Sequence, residues 1–147
     1  KKELIFGLES ALAMVANTEL VKKKYDSLKN KEISIKLPIV IDKKVIELKT
    51  GEFIKSIKKI LNSEDLEKIA IQEKKIRSGR GRLRNRKYKK NSGILLITGN
   101  NENKRVNGIE IIKAGSIWVG DLVSNGSRLV MFTEEGIKDL EKKLAWN

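Results

Sequence analysis

Apolar residues return at helical spacing at the start of the chain. Leu4, Leu8, Ala11, Leu12 and Val15 fall on one side of "KKELIFGLESALAMVAN", which predicts a first helix. In "NTELVKKKYDSLK" the residues Leu20, Val21, Tyr25 and Leu28 form the buried side of a second, shorter helix with Thr18 as its expected N-cap. The run "LPIVI" at 37 to 41 has no such period and is rich in β-branched residues, so it predicts a strand that tolerates Pro38 only near its start or on an edge. After Thr50 and Gly51, Phe53, Ile54, Ile57, Ile60 and Leu61 define another helix, and "SEDLEKIAI" opens a further one with Ser63 as N-cap. "GILLITG" at 93 to 99 is apolar on both faces, as in a parallel strand covered by helices. "IEIIKAG" from Ile109 predicts a strand, Ser116 is the expected cap of a short helix in "IWVGDLV", and Asn125-Gly126 turns into the strand "RLVMF". Thr133, followed by Glu134 and Glu135, opens a last helix with Ile137, Leu140 and Leu144 inside.

Strands alternating with helices predict an α/β fold, three layers α/β/α around a mostly parallel sheet of about four strands. At 147 residues, 39% hydrophobic and 35% charged, the chain fits one soluble globular domain over residues 1 to 147. No apolar run approaches the roughly 20 residues a membrane helix needs. The absence of Cys excludes a disulfide scaffold, a thiol nucleophile and thiolate zinc sites, and the absence of His removes the commonest general base and metal ligand. The start, Lys1-Lys2-Glu3-Leu4, has neither Met nor the features of a secretory signal, so the expectation is an intracellular chain that is part of something longer.

Charge changes the picture most. Residues 74 to 90, "KKIRSGRGRLRNRKYKK", carry ten Lys or Arg and no acid, so all but three of the thirteen net positive charges sit in seventeen positions. A one-sign block repels itself and is normally held against a polyanion, nucleic acid first among them. Five of the seven Arg of the chain lie here, at 77, 80, 82, 84 and 86, whereas elsewhere Lys outnumbers Arg twenty to two. Arg differs from Lys in its planar fork, which binds phosphate bidentately and stacks on bases, so these positions serve geometry as well as charge. Gly79, Gly81 and Ser78 let backbone approach phosphate, while Tyr88 and Asn85 suit bases or sugars. With no hydrophobic period the stretch reads as an extended or looped excursion before the second strand, spanning 74 to 92. Extended, it sets the Arg of 80 to 86 on one side, and it suits irregular RNA better than the DNA major groove, which usually receives a helix or ribbon.

Other chemistry is weak. "ITGNNENKR" lacks the second Gly and the Ser or Thr of a phosphate loop, and "SGRGRLR" lacks the third Gly and the preceding strand of a dinucleotide fingerprint. The carboxylate pairs Glu64-Asp65 and Glu134-Glu135 each follow an N-cap and are explained by the helix dipole. Trp118 and Trp146 read as packing or assembly anchors. No catalytic residue, metal site or cofactor is expected.

"KIRSGRGRLRNRKYKKNSGILLIT" resembles the signature of the universal large-subunit ribosomal protein L-four family in its archaeal and eukaryotic form, a Lys-x-Arg-x-Gly-(Arg/Lys)-Gly-(Arg/Lys)-x-Arg core followed by Arg-(Arg/Lys)-Tyr and an apolar strand. The Ala-rich opening and the closing "NGSRLVMFTEEGIKDLEKKL" resemble that family in the same order. The resemblance implies a domain with a four-stranded parallel sheet that binds and helps fold large-subunit ribosomal RNA, in the cytoplasm, beside other ribosomal proteins, with no membrane and no small-molecule substrate. Its RNA contacts would fall on Lys74, Lys75, Arg77, Ser78, Gly79, Arg80, Gly81, Arg82, Arg84, Asn85, Arg86, Lys87, Tyr88, Lys89 and Lys90. The family's amino-terminal strand and helix and its tunnel-reaching loop have no counterpart here, so the chain is expected to be the carboxy-terminal two thirds of a longer protein, with no tunnel-lining residue assigned. The missing carboxy-terminal extension of eukaryotic members favours the archaeal type. The alternatives are a free-standing RNA-binding protein or chaperone and, disfavoured by the absent His, Cys and phosphate loop, a nucleotide-binding α/β enzyme.

Overall fold

Leu95, Leu96, Ile97 and Thr98 are all buried, which a strand achieves when helices cover both of its faces. The structure is a computed structural model in which residues 2–29 and 35–145 are described. In chain order its elements are α1 (Lys2–Ala16), α2 (Thr18–Lys24), β1 (Ile39–Ile41), α3 (Lys43–Glu47), α4 (Thr50–Leu61), α5 (Glu64–Ala70), β2 (Lys74–Ile76), α6 (Arg80–Leu83), β3 (Tyr88–Lys90), β4 (Leu95–Thr98), β5 (Glu110–Lys113), α7 (Val119–Leu122), β6 (Val130–Thr133) and α8 (Glu134–Leu144). Four strands make one wholly parallel sheet in the order β1-β6-β4-β5, with Leu95 opposite Val130 on one side and Glu110 on the other. The α/β/α expectation is borne out.

Alternation along the strands divides the core in two. Leu96 and Met131 join Val21, Phe53, Ile57, Leu61 and Leu66 beneath α2 to α5, while Leu95, Ile97, Val130 and Phe132 join Leu8, Ala11, Val15, Leu122 and Leu140 beneath α1, α7 and α8. Burying each of these side chains larger than Ala contributes roughly 1.5–3 kcal/mol before entropy. Of the stripe expected on α1, Leu4 stands out at 57% exposure, and its neighbour Phe6 at 63%. Pro38 immediately precedes β1, an edge strand, where its missing N–H costs no ladder bond.

Two local expectations are corrected and one helix is new. The N-cap of α2 is Asn17, not Thr18: its backbone is extended, and its Oδ1 accepts from the N–H groups of Glu19 at 3.0 Å and Leu20 at 3.4 Å. Ser116 closes a short 3₁₀ turn and donates to the Lys113 carbonyl at 3.1 Å, so the residue capping α7 is Trp118, whose N–H donates to Asp121 Oδ2 at 3.0 Å. α3 was not anticipated, because five residues are too few to show a period; its start is fixed by the Asp42 cap. Thr133, by contrast, caps α8 as expected, accepting from the Gly136 N–H at 3.0 Å. Trp146 lies outside the described residues. Among those described, no single helix is long and apolar enough to cross a membrane; α1 and α2 together have the length, but they meet at an 86° bend and bury Leu8, Ala11, Val15 and Val21 in the core.

Candidate nucleic-acid interface

The basic stretch leaves the domain through a hydrogen-bonded neck. Asn91 Oδ1 accepts from the Glu73 N–H at 2.9 Å while its Nδ2 donates to the carbonyls of Ile71 at 3.2 Å and Ile69 at 3.4 Å. Gln72 donates from Nε2 to the Ser92 carbonyl at 3.0 Å, and its backbone N–H to the Gly108 carbonyl at 2.7 Å. Beneath the neck lies Arg128, only 6% exposed, whose guanidinium donates to the carbonyls of Ser92 and, at 3.1 Å, Gly93, and pairs with Glu110 at 2.7 Å. Asn91 and Arg128 were not singled out from sequence. The signal for Arg128 was its rarity, as one of two Arg outside the stretch.

Beyond the neck the expected excursion is looped, as an antiparallel hairpin, and not a single extended segment. β2 pairs with β3 in the register Lys74 opposite Lys90, Lys75 opposite Lys89 and Ile76 opposite Tyr88, and the Arg77 N–H continues the ladder to the Lys87 carbonyl at 2.8 Å. Directly opposed like charges destabilise an isolated ribbon, so two Lys–Lys pairs in succession are not there for the stability of the free domain. Alternation puts Lys75, Lys89, Arg77 and Lys87 on one face and Lys74, Lys90, Ile76 and Tyr88 on the other. On the second face Lys74 Nζ lies 3.9 Å from the Tyr88 ring centroid, so a base stacking on that side of the ring must displace it. Lys75 also pairs with Glu73 at 3.0 Å, both side chains exposed, and Lys68, Lys75, Lys89 and Lys90 line a cleft of about 480 Å³ at the base of the hairpin.

The tip is one helical turn, α6, which overturns the alternating placement of Arg80, Arg82, Arg84 and Arg86 on one side. In a turn, residues four apart share a face, so Arg80 and Arg84 point together while Arg82 diverges. The two glycines serve this turn before any phosphate. Gly79 holds φ 77° and ψ −165°, open essentially to glycine alone. A Cβ on Gly81 would meet Arg77 Cδ at 2.7 Å, because the Arg77 side chain crosses there. Asn85 sits at φ 59° and the Arg86 N–H closes back on the Gly81 carbonyl at 3.0 Å. Leu83 projects from the tip at 84% exposure and Ile76 from the stem at 60%, so the arm mixes charge with uncovered apolar surface. The expected residues from Lys74 to Lys90 are thus gathered on one projection, though on several of its faces. As a ribbon with a helical tip, it also loses the contrast with DNA-groove binders drawn from an extended chain.

The weaker motifs resolve as structural. The Gly99 N–H in "ITGNNENKR", where a phosphate loop would offer its backbone, donates instead to Glu102 Oε2 at 2.8 Å. Glu64 and Asp65 lie in the first turn of α5, and Glu134 and Glu135 in that of α8, with Glu135 also paired to Lys43 at 2.8 Å. Trp118 is 61% exposed and borders an apolar groove with Leu4, Ile5 and Leu8, a surface rather than a core position.

Fold and site together define a three-layer α/β domain that carries a basic hairpin arm on a hydrogen-bonded neck. No protein-family model matches the chain. Over nearly its whole length, however, it is similar to large ribosomal subunit protein uL4 of archaea, which bears out the family resemblance. It is 32% identical to that protein of Methanocaldococcus jannaschii over 97% of this chain, 33% to that of Thermoplasma acidophilum over 90%, and 31% to that of Methanosphaera stadtmanae over 95%. The matched regions are 58%, 53% and 56% of those relatives, so the chain spans little more than half their length.

Proposed function

We propose that this domain is a structural constituent of the large ribosomal subunit, of archaeal type, whose hairpin arm binds and helps fold large-subunit ribosomal RNA. The observation that carries the reading is the arm itself: two opposed Lys–Lys pairs, five Arg and no acid over residues 74 to 90, with Leu83 and Ile76 bare. Such a ribbon is electrostatically frustrated alone and relieved by a polyanion, because phosphates that release their counterions to it supply the binding energy. Lys74, Lys75, Arg77, Arg80, Arg82, Arg84, Arg86, Lys87, Lys89 and Lys90 neutralise phosphates; Ser78, Gly79 and Gly81 bring backbone close; Asn85 and Tyr88 reach bases or sugars. The helices around the sheet dock on neighbouring ribosomal proteins. The reading gives the domain no catalytic step and places it in the cytoplasm on the ribosome.

Sedimentation of a lysate containing the tagged chain tests this. Co-migration with large subunits, lost when Arg80, Arg82 and Arg84 are changed to Ala, is the expected result. A chain confined to the light fractions would overturn the ribosomal assignment and leave a free-standing RNA-binding protein.

A further inference from the structure

At the exit of β4, away from the arm, Glu102 is only 8% exposed and is held by one oxygen. Its Oε2 accepts from the Gly99 N–H at 2.8 Å and the Thr133 hydroxyl at 2.7 Å. Its other oxygen, Oε1, and the hydroxyl of fully buried Thr98 have no hydrogen-bond partner among the described residues. Buried polar atoms left unpaired are costly and rare, and two in one place are able to take hydrogen bonds from a ligand. Both residues line an open cavity of about 830 Å³, walled by Ile109 and Ile111 and bordered by Arg105 and Lys113.

The ligand must bring N–H donors to an inner carboxylate, an apolar body to the aliphatic wall, and negative charge to the outer cations. A metal ion fits poorly: there is one carboxylate against several cations, and no group of three or more acidic, His or Cys residues that could hold a metal occurs among the described residues. A nucleotide meets all three demands. Guanine presents N1–H and its amino group side by side, one for Glu102 Oε1 and one for Thr98, whereas uracil flanks its single N–H with carbonyl oxygens that a carboxylate repels. We propose that this cavity binds one nucleotide, guanine foremost, with its base on Glu102 and Thr98 and its phosphate on Arg105 and Lys113. The same chemistry is offered by a free nucleotide and by an unpaired guanosine of an RNA. The site stands independently of the arm.

Titration of the isotopically labelled 147-residue chain with GMP and with UMP, followed by NMR, tests it. GMP should shift the amides of Thr98, Glu102, Arg105 and Ile109 and bind at least about tenfold tighter than UMP, as expected for hydrogen bonds to a charged acceptor. Thr98→Val removes an unpaired hydroxyl and keeps the shape, so it should leave melting unchanged or higher while weakening GMP several-fold. Arg105→Ala, at an exposed position, should weaken GMP but not guanosine. Changing Arg80, Arg82 and Arg84 to Ala should leave GMP binding intact, which separates failure of this site from failure of the RNA-binding arm. Competition by an RNA hairpin with one unpaired guanosine identifies RNA as the source, and its absence a free nucleotide; either supports the site. Equal affinity for GMP and UMP, shifts confined to other residues, or parental binding by both Thr98→Val and Arg105→Ala would overturn it.

Discussion

Replacing Arg128 with Met tests how the arm is fastened. The substitution keeps an unbranched apolar stem of similar reach but deletes the donors to the Ser92 and Gly93 carbonyls and the contact with Glu110. Hydrogen bonds from a charged donor are worth about 1.5–3 kcal/mol each, so two give roughly 3–6 kcal/mol gross. Several terms reduce this. Glu110 is 45% exposed and rehydrates once unpaired, so its pair contributes only about 0–1 kcal/mol. Ser92 keeps the Gln72 donor, Gly93 keeps the Tyr25 hydroxyl at 3.4 Å, and the buried guanidinium no longer has to be desolvated. The net loss comes to about 2–4 kcal/mol, a large share of the roughly 5–15 kcal/mol that holds a domain together. Urea unfolding should show the midpoint falling with an unchanged slope, since the folded core is the same. Hydrogen exchange should accelerate at residues 91 to 95, the return of the arm. A loss below about 1 kcal/mol, or unaltered exchange there, would refute the anchoring role.

Lys89→Glu sets an acid opposite Lys75, so the free domain should gain about 0.5–1 kcal/mol in the stability of its hairpin while RNA affinity falls, a pairing that NMR exchange and filter binding would check. Gly79→Ala forces a side chain into a conformation costing about 1–3 kcal/mol; because the hairpin lies outside the core, global melting should hardly move while RNA binding weakens, as calorimetry and filter binding would show. Burial pushes the Tyr25 hydroxyl above its ordinary pKa, outweighing its hydrogen bond from Leu129 N–H and the nearby Arg128 charge. Stability from this neutral phenol is therefore whole below the unfolded Tyr pKa and lost as pH rises through the higher folded one. Tyr25→Phe should cost about 1 kcal/mol at neutral pH yet remove part of the alkaline loss above about pH 10, measured by urea midpoints across pH.

The sheet was readable because "GILLITG" and "RLVMF" are too uniformly apolar for anything but strands covered on both sides. Caps were misplaced by a residue or two where neighbours compete: Asn17 and Thr18 are both good cap residues, and only the backbone angles choose between them. The arm was visible as chemistry but not as shape. A four-residue turn flanked by Gly79 has no hydrophobic period, and the Lys–Lys opposition exists only once β2 and β3 are in register. Arg128 opens a strand-like run; its role depends on Ser92 and Gly93, distant in sequence. The unpaired atoms of Glu102 and Thr98 likewise appear only when β4 and β6 lie side by side.

The arm as an RNA-binding device is tested most directly by filter binding of a large-subunit ribosomal RNA fragment across salt concentrations, for the parent chain and for the triple variant Arg80→Lys, Arg82→Lys, Arg84→Lys. About six or more phosphate contacts among the ten basic residues of the arm predict a log-log slope of roughly −4 or steeper for the parent. The variant, with its charge intact and its planar forks gone, should keep that slope and bind at least about tenfold more weakly. A flat salt response, or a Lys variant that binds as tightly as the parent, would contradict the account.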